Sequence, residues 1–140
     1  DMGKNNEAEK LLREVVEARP ESYEIAYSLG LLLAEKKEYD DAARYIGQAA
    51  KGMPNEARIH YNLGLLLQHL EKTPDAENAL LRAVEIEPDN IDFLYAAADF
   101  YIKRKKFLEA RNIVEKIISS HPDEPIGNNL LKFINSRITP

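Results

Sequence analysis

The chain contains no cysteine and no tryptophan, two methionines, six glycines and seven prolines in 140 residues. Without cysteine there is no disulfide, no thiolate zinc or iron-sulfur ligation and no thiol nucleophile within this segment. So little glycine and proline excludes collagen-like, mucin-like and disordered chains. No run of about 18 uncharged apolar residues occurs, and no basic segment is followed by an apolar stretch, so neither a membrane span nor a signal peptide is visible. P-loop, GxSxG, HExxH, EF-hand and GxGxxG patterns are absent as well. What is present is 44% apolar and 31% charged residues with a net charge of −5. The charge is uneven: residues 1–102 hold 20 acids and 11 bases, residues 103–140 hold 4 acids and 8 bases. The acidic balance argues against a nucleic-acid surface.

Internal periodicity organises the rest. Pro20, Pro54, Pro88 and Pro122 stand 34 residues apart. Each follows an amphipathic run and precedes a polar pair, Glu21-Ser22, Asn55-Glu56, Asp89-Asn90 and Asp123-Glu124, which reads as a helix stop and then an N-cap. Ala8, Ala42, Ala76 and Ala110 keep the same step, as do Tyr27, Tyr61 and Tyr95. With each period numbered from Tyr23, Ala57 or Ile91, the proline falls at place 32 and two helices, A and B, emerge at ~100° per residue. Places 4, 7, 8 and 11 of helix A form a core stripe: Ala26, Leu29, Gly30, Leu33; His60, Leu63, Gly64, Leu67; Leu94, Ala97, Ala98, Tyr101. Helix B has its own, including Ala42, Ile46, Ala49; Ala76, Leu80, Ala83; and Ala110, Val114, Ile117. Small residues at places 8 and 20 let two backbones approach, and the larger residue at place 24 fills the space beside them.

Leu-Gly at places 7 and 8, Ala at 20 and 27 and Pro at 32 resemble the tetratricopeptide repeat (TPR) family, whose unit is a 34-residue helix-turn-helix. The segments YSLGLLL…YDDAARYIGQAAKGMP and YNLGLLL…PDAENALLRAVEIEP carry the resemblance most fully; at Ala97-Ala98 the Leu-Gly pair is replaced. The resemblance implies an all-α, right-handed α-solenoid of about eight antiparallel helices. Lys37, Glu71 and Lys105 occupy the A-to-B turn place where the family usually has Gly, which puts tight-turn geometry in doubt there. One helix B is entered through Thr73-Pro74-Asp75, read as N-cap, N1 proline and first-turn acid.

The frame divides the chain into a half repeat at residues 1–22 with helix B only, full repeats at 23–56, 57–90 and 91–124, and a capping helix at 125–140 with Ile126, Leu130, Ile134 and Ile138 on one side. Beginning in mid-unit, it is expected to be a fragment of a longer protein. Leu12, Val15 and Val16 then border an uncapped N-terminal edge, through which copies could stack into a homo-oligomer.

No residue constellation signals catalysis. His60 and His69 lie nine residues apart on one helix, about half a turn out of phase, and so cannot share a metal. His60 is expected to pack structurally and His121 to sit in a turn. Asp40-Asp41 and Glu85 with Glu87 read as solvated surface. The Lys103-Arg104-Lys105-Lys106 run suits a helix C-terminus, with an anionic partner as the alternative.

A solenoid binds on its concave face, opposite the core stripe of helix A. Places 2, 5, 9 and 12 share that face and put Tyr27 and Leu31; Arg58, Tyr61, Leu65 and Gln68; and Tyr95, Asp99 and Ile102 along a groove, with Glu24 and Asp92 at its margin. A ladder of three tyrosines offers amphipathic area at low entropic cost, although tyrosine at place 5 is also a packing residue of the family. Leu31 and Leu65 tip the reading toward binding, because the family commonly has Asn at place 9 and packing does not require Leu there. Of the family's carboxylate clamp only Asn62 has a counterpart: Tyr27 and Leu31 stand where its Lys and Asn would be, Asp92 and Ala96 where its basic pair would be. A chaperone-tail acceptor is therefore not expected.

The expectation is a non-catalytic module binding another protein or a peptide, with no cofactor, no metal, no nucleic acid and no membrane. Its alternatives are a self-assembling structural solenoid and an accessory segment of a larger enzyme or multihaem redox protein, since FLYAAADFYIKRKKFLEA resembles the closing repeat of TPR modules in bacterial multihaem cytochromes.

Overall fold

In a computed structural model, which describes residues 2–138, the chain is a succession of helices spaced by the sequence period. The first helix, α1, covers Met2–Ala18. It is followed by α2 (Tyr23–Glu35), α3 (Tyr39–Gly52), α4 (Ala57–His69), α5 (Thr73–Ile86), α6 (Ile91–Lys103), α7 (Phe107–Ser120) and α8 (Pro125–Ile138). The starts of α2, α4, α6 and α8 fall 34 residues apart, and so do those of α3, α5 and α7. The fold is all-α among the described residues; residue 1 and residues 139–140 of the outer segments lie outside them. Each helix packs on its neighbours in the chain, and α4 also reaches α6. This nearest-neighbour stacking is the signature of a solenoid.

The expected stripes of α2 and α6 bury fully, but in α4 the expectation needs correction. Of His60, Leu63, Gly64 and Leu67 only Gly64 is buried, and Ala57, Ile59 and Leu66 are buried instead, the inward face being rotated by one residue. Ala26, Leu29, Gly30 and Leu33 face inward from α2, and Ala42, Ile46 and Ala49 meet them from α3. Two clusters share α4: one runs from Val16 to Leu66, the other from Ala57 to Ile134 and contains the fully buried Phe93 and Phe100. Close helix approach fixes the residues at places 8 and 24 as pairs. A Cβ added at Gly30 would lie 2.4 Å from Ile46 Cγ1, and one at Gly64 would lie 2.7 Å from Leu80 Cγ. Where the third repeat has Ala98 at this place, its partner is the smaller Val114.

The doubt about the A-to-B turns is resolved in favour of tight geometry. Lys37, Glu71 and Lys105 adopt φ of 65°, 60° and 60°, the left-handed region. At the first turn Lys37 N donates to Ala34 O at 3.0 Å and Glu38 N to Leu33 O at 2.9 Å. The same two bonds recur at Glu71 and Lys72 and at Lys105 and Lys106. These are Schellman closures, and they hold three non-glycine residues where glycine is the unstrained choice.

Three local expectations need correction. Thr73 is the first residue of α5 rather than its N-cap, which is Lys72, and the Thr73 hydroxyl accepts instead from Arg104 at 3.1 Å. Of the polar pairs after the prolines, Asn90 alone shows a side-chain cap among the described residues, accepting from Asp92 N and Phe93 N at 3.0 and 3.2 Å. On α1, Val16 is buried and Leu12 half-buried, so the outward apolar residues are Leu11, 62% exposed, and Val15. A change of one residue rotates a helix face by ~100°, which explains the misplacement.

Candidate binding groove

The proposed groove residues all lie on α2, α4 and α6, and packing treats them unequally. Tyr27 is half-buried, and its hydroxyl accepts from Asn62 Nδ2 at 2.6 Å. Tyr61 is half-buried with its ring centroid 5.0 Å from that of Phe93. Arg58 lies over both rings, 5.4 Å from Tyr61 and 4.9 Å from Phe93. Gln68 and Ile102 are half-buried, and Asp99 pairs with Lys103 at 2.9 Å. Leu31, Leu65 and Tyr95 are the outward members, at 37%, 38% and 42% exposure.

Leu31 and Leu65 come together at a depression of about 260 Å³ with Ala34, Asn62 and His69, closed on one side by Tyr39. The rings of Tyr39 and His69 touch in a tilted arrangement, centroids 4.3 Å apart and planes at 54°. The three tyrosines do not line this depression. Asn62 and His69 fall at places 6 and 13, within about 60° of place 9, so helical arithmetic could have included them. Tyr39 comes from helix B, and no single-helix projection would have found it.

Outside the groove the polar groups serve packing. His60 Nε2 donates to the Pro54 carbonyl at 2.8 Å and His121 Nε2 to the Asp89 carbonyl at 2.5 Å. Among the described residues no group of three or more His, Asp or Glu side chains could hold a metal, and no helix is long and apolar enough to cross a membrane. Half of the basic run is engaged locally: Lys103 pairs with Asp99 and the Arg104 guanidinium lies 4.1 Å from the Phe100 ring centroid, while Lys105, whose backbone makes the turn, and Lys106 are exposed. Asp41 is not merely solvated, because it lies 3.6 Å from both Arg13 and Arg44.

That contact belongs to a network joining the first three helices. Glu9 on α1 bonds to Lys36 beyond α2 and to Arg13 at 2.8 Å, and Arg13 and Arg44 flank the buried Tyr45 ring. Hydrogen bonds from Lys36 and then Arg13 hold the Glu9 carboxyl below its ordinary range. Pairing with Glu9 raises Arg13 in turn. Tyr101, donating to Glu77 at 2.6 Å, has its phenol raised chiefly by burial and then by that carboxylate.

Antiparallel helix pairs at a fixed step, exposing a shallow apolar face, define a helical-repeat solenoid. Two tetratricopeptide repeat family models match, one over residues 1–58 and 37–91, the other over 67–132. The chain therefore belongs to the tetratricopeptide repeat family, whose members are typically non-catalytic and generally bind proteins or peptides. Comparison with curated proteins finds no match. Among solved structures, a fragment of MamA from Desulfovibrio magneticus superposes with a TM-score of 0.80 at 23% identity, covering 97% of this chain and 77% of that one. A tetratricopeptide repeat protein from Parabacteroides merdae gives 0.84 at 20% identity, over 97% of this chain and 56% of its own. YrrB, described as a TPR protein with an unusual peptide-binding site, gives 0.79 at 21% identity, over 94% and 68%. At such identities the likeness establishes the fold.

Proposed function

We propose that the chain is a non-catalytic interaction module that binds a peptide or helix of another protein along its concave face. The carrying observation is that Leu31, Leu65 and Tyr95 stay more than one-third exposed on the face shared by α2, α4 and α6. Tyr27, Asn62, Tyr61 and Phe93 form the rigid wall behind them, which lowers the ordering cost of binding. Affinity comes from burying the apolar row, and Glu24, Arg58, Asp92 and Asp99 set register. The peptide-binding site described for YrrB supports the reading by analogy of fold alone.

The test is a selection of displayed peptides against the chain, with Leu65→Arg and Tyr95→Ala as comparison targets. Burying what remains exposed of one leucine is worth about 1.5 kcal/mol, so each substitution should weaken groove-bound clones roughly tenfold. Selected peptides that bind both folded variants as they bind the wild type would refute the groove. A second reading, self-association through α1, is favoured by Leu11 and Val15 beside a depression of about 400 Å³. It requires a sedimentation mass that rises with concentration and falls back in Leu11→Glu; a concentration-independent mass removes it.

A further inference from the structure

The opposite side of the solenoid carries a second groove, of about 490 Å³, between α3 and α5 with α4 as its floor. Its walls are Ala43, Gly47 and Ala50 from α3 and Ala79 from α5, and Leu63 and Leu67 lie beneath, half-buried. A Cβ built on Gly47 meets nothing within 4 Å. Leu63 packs with the N-terminal core cluster and Leu67 with the C-terminal one, so the groove lies over the seam between them.

The neighbouring junctions are closed by devices that this one lacks. Between α1 and α3, Arg13 reaches across Tyr45 at 5.6 Å to Asp41 at 3.6 Å. At the α5–α7 junction, Tyr101 of the underlying α6 donates to Glu77 of α5 at 2.6 Å. One period away, Gly47 stands in place of Arg13, Ala79 in place of Tyr45, Ala43 in place of Glu77 and Leu67 in place of Tyr101. All four substitutions remove bulk or polarity from the same junction.

Charge is distributed along the groove. Lys51 and Arg82, with His60, mark the end where α3 and α5 terminate, and Asp75 marks the end where α5 begins. Arg82 is already engaged by Glu85 at 2.9 Å and Asn55 at 3.1 Å, whereas Lys51 is exposed and makes no ion pair among the described residues. The wall from Ala43 to Lys51 is about 12 Å long, or two helical turns.

We propose that this groove docks an amphipathic helix of a partner protein, antiparallel to α3 and α5, with acidic residues in its first turn and two bulky apolar side chains four residues apart. The antiparallel direction sets the guest's N-terminal dipole and first-turn carboxylates against the C-terminal ends of α3 and α5 and against Lys51. Its apolar pair fills the space above Ala43, Gly47 and Ala50, and a base further along meets Asp75. This site is independent of the concave face.

The experiment is a library of displayed two- to four-turn helical peptides, selected on the wild-type chain and rescreened on Gly47→Leu, Lys51→Glu and Leu65→Arg. Gly47→Leu fills the groove where there is open space, and Leu81 already occupies that place one period on, so the variant is expected to keep its helical signal. Gly47→Ala serves as a milder second filling. The expected result is a set of clones weakened about tenfold by Gly47→Leu, severalfold by Lys51→Glu and not at all by Leu65→Arg, with first-turn acids and the apolar pair in common. If no clone depends on Gly47, or if the dependent clones are basic in the first turn, the proposal is overturned. It is equally overturned if a concentration-dependent sedimentation mass is lost in Gly47→Leu while no helical clone is weakened.

Discussion

The three turns between paired helices supply the sharpest energetic prediction. Lys37, Glu71 and Lys105 hold φ of 65°, 60° and 60°, where an L-residue's Cβ crowds the adjacent carbonyl. That conformation costs about 1–2 kcal/mol, and glycine in the same place costs about 0.5–1 kcal/mol in unfolded-chain entropy. Each replacement by glycine should therefore stabilise by about 0.5–1 kcal/mol. The three side chains are exposed and make no ion pair among the described residues, so little else is lost. The sites are a full period apart and share no partner, so their effects should add to about 2 kcal/mol. For a chain of 140 residues the unfolding entropy is about 0.3 kcal/mol/K, which converts that gain to a rise in Tm of roughly 7 °C. Thermal melts followed by circular dichroism, with urea titrations beside them, measure it directly. Lys37→Ala is the control, because it removes the side chain and keeps the Cβ; it should leave Tm within about 2 °C. A triple variant that melts at or below the wild type would show that the turns are not strained and would refute the reasoning.

Two further predictions concern packing and charge. Gly64→Ala should destabilise by about 1–3 kcal/mol, because the new Cβ meets Leu80 at 2.7 Å, and adding Leu80→Val should recover part of the loss by recreating the Ala98 and Val114 pairing; a cycle with no coupling in urea midpoints would reject the paired-place argument. Glu9→Gln should destabilise the α1 to α2 junction at neutral pH. Because Glu9 titrates lower when folded, its contribution is present above the unfolded carboxylate range and disappears as pH falls through the folded value. The stability gap between wild type and variant should accordingly close in acid, and a gap unchanged down to about pH 3 would count against the network.

How far the groove was legible depended on the kind of interaction involved. Helical arithmetic puts Leu31, Leu65 and Tyr95 at places 5 and 9, about 40° apart; all three are exposed, and Leu31 and Leu65 line one depression while Tyr95 does not. The arithmetic could not distinguish Tyr95 from Tyr27 and Tyr61, which share its place in the repeat. Tyr27 is drawn in by Asn62 of the next unit and Tyr61 by Phe93, partners supplied by another helix. Tyr39 joined the depression beside Leu31 for the same reason, arriving from helix B across a turn. On α1 the expected edge residue Val15 is exposed, whereas Leu12 and Val16 turn inward and Leu11 takes the outward place.

The sequence by itself determined the period, the helix starts, the buried stripes of α2 and α6 and the family, because each depends on contacts within a helix or on a spacing repeated often enough to average out local exceptions; the inward face of α4, shared between two core clusters, it did not determine. Tertiary structure alone decided which side chains remain available. Gly47 is ordinary in a linear reading, yet it faces open space in a groove that it lines with Ala43 of its own helix, Leu67 of α4 and Ala79 of α5, none of which carries the arginine or tyrosine found at the equivalent junctions. Likewise the left-handed turns exist because the stacked pairs require the chain to reverse in a fixed length, and that requirement overrides the local preference of lysine and glutamate.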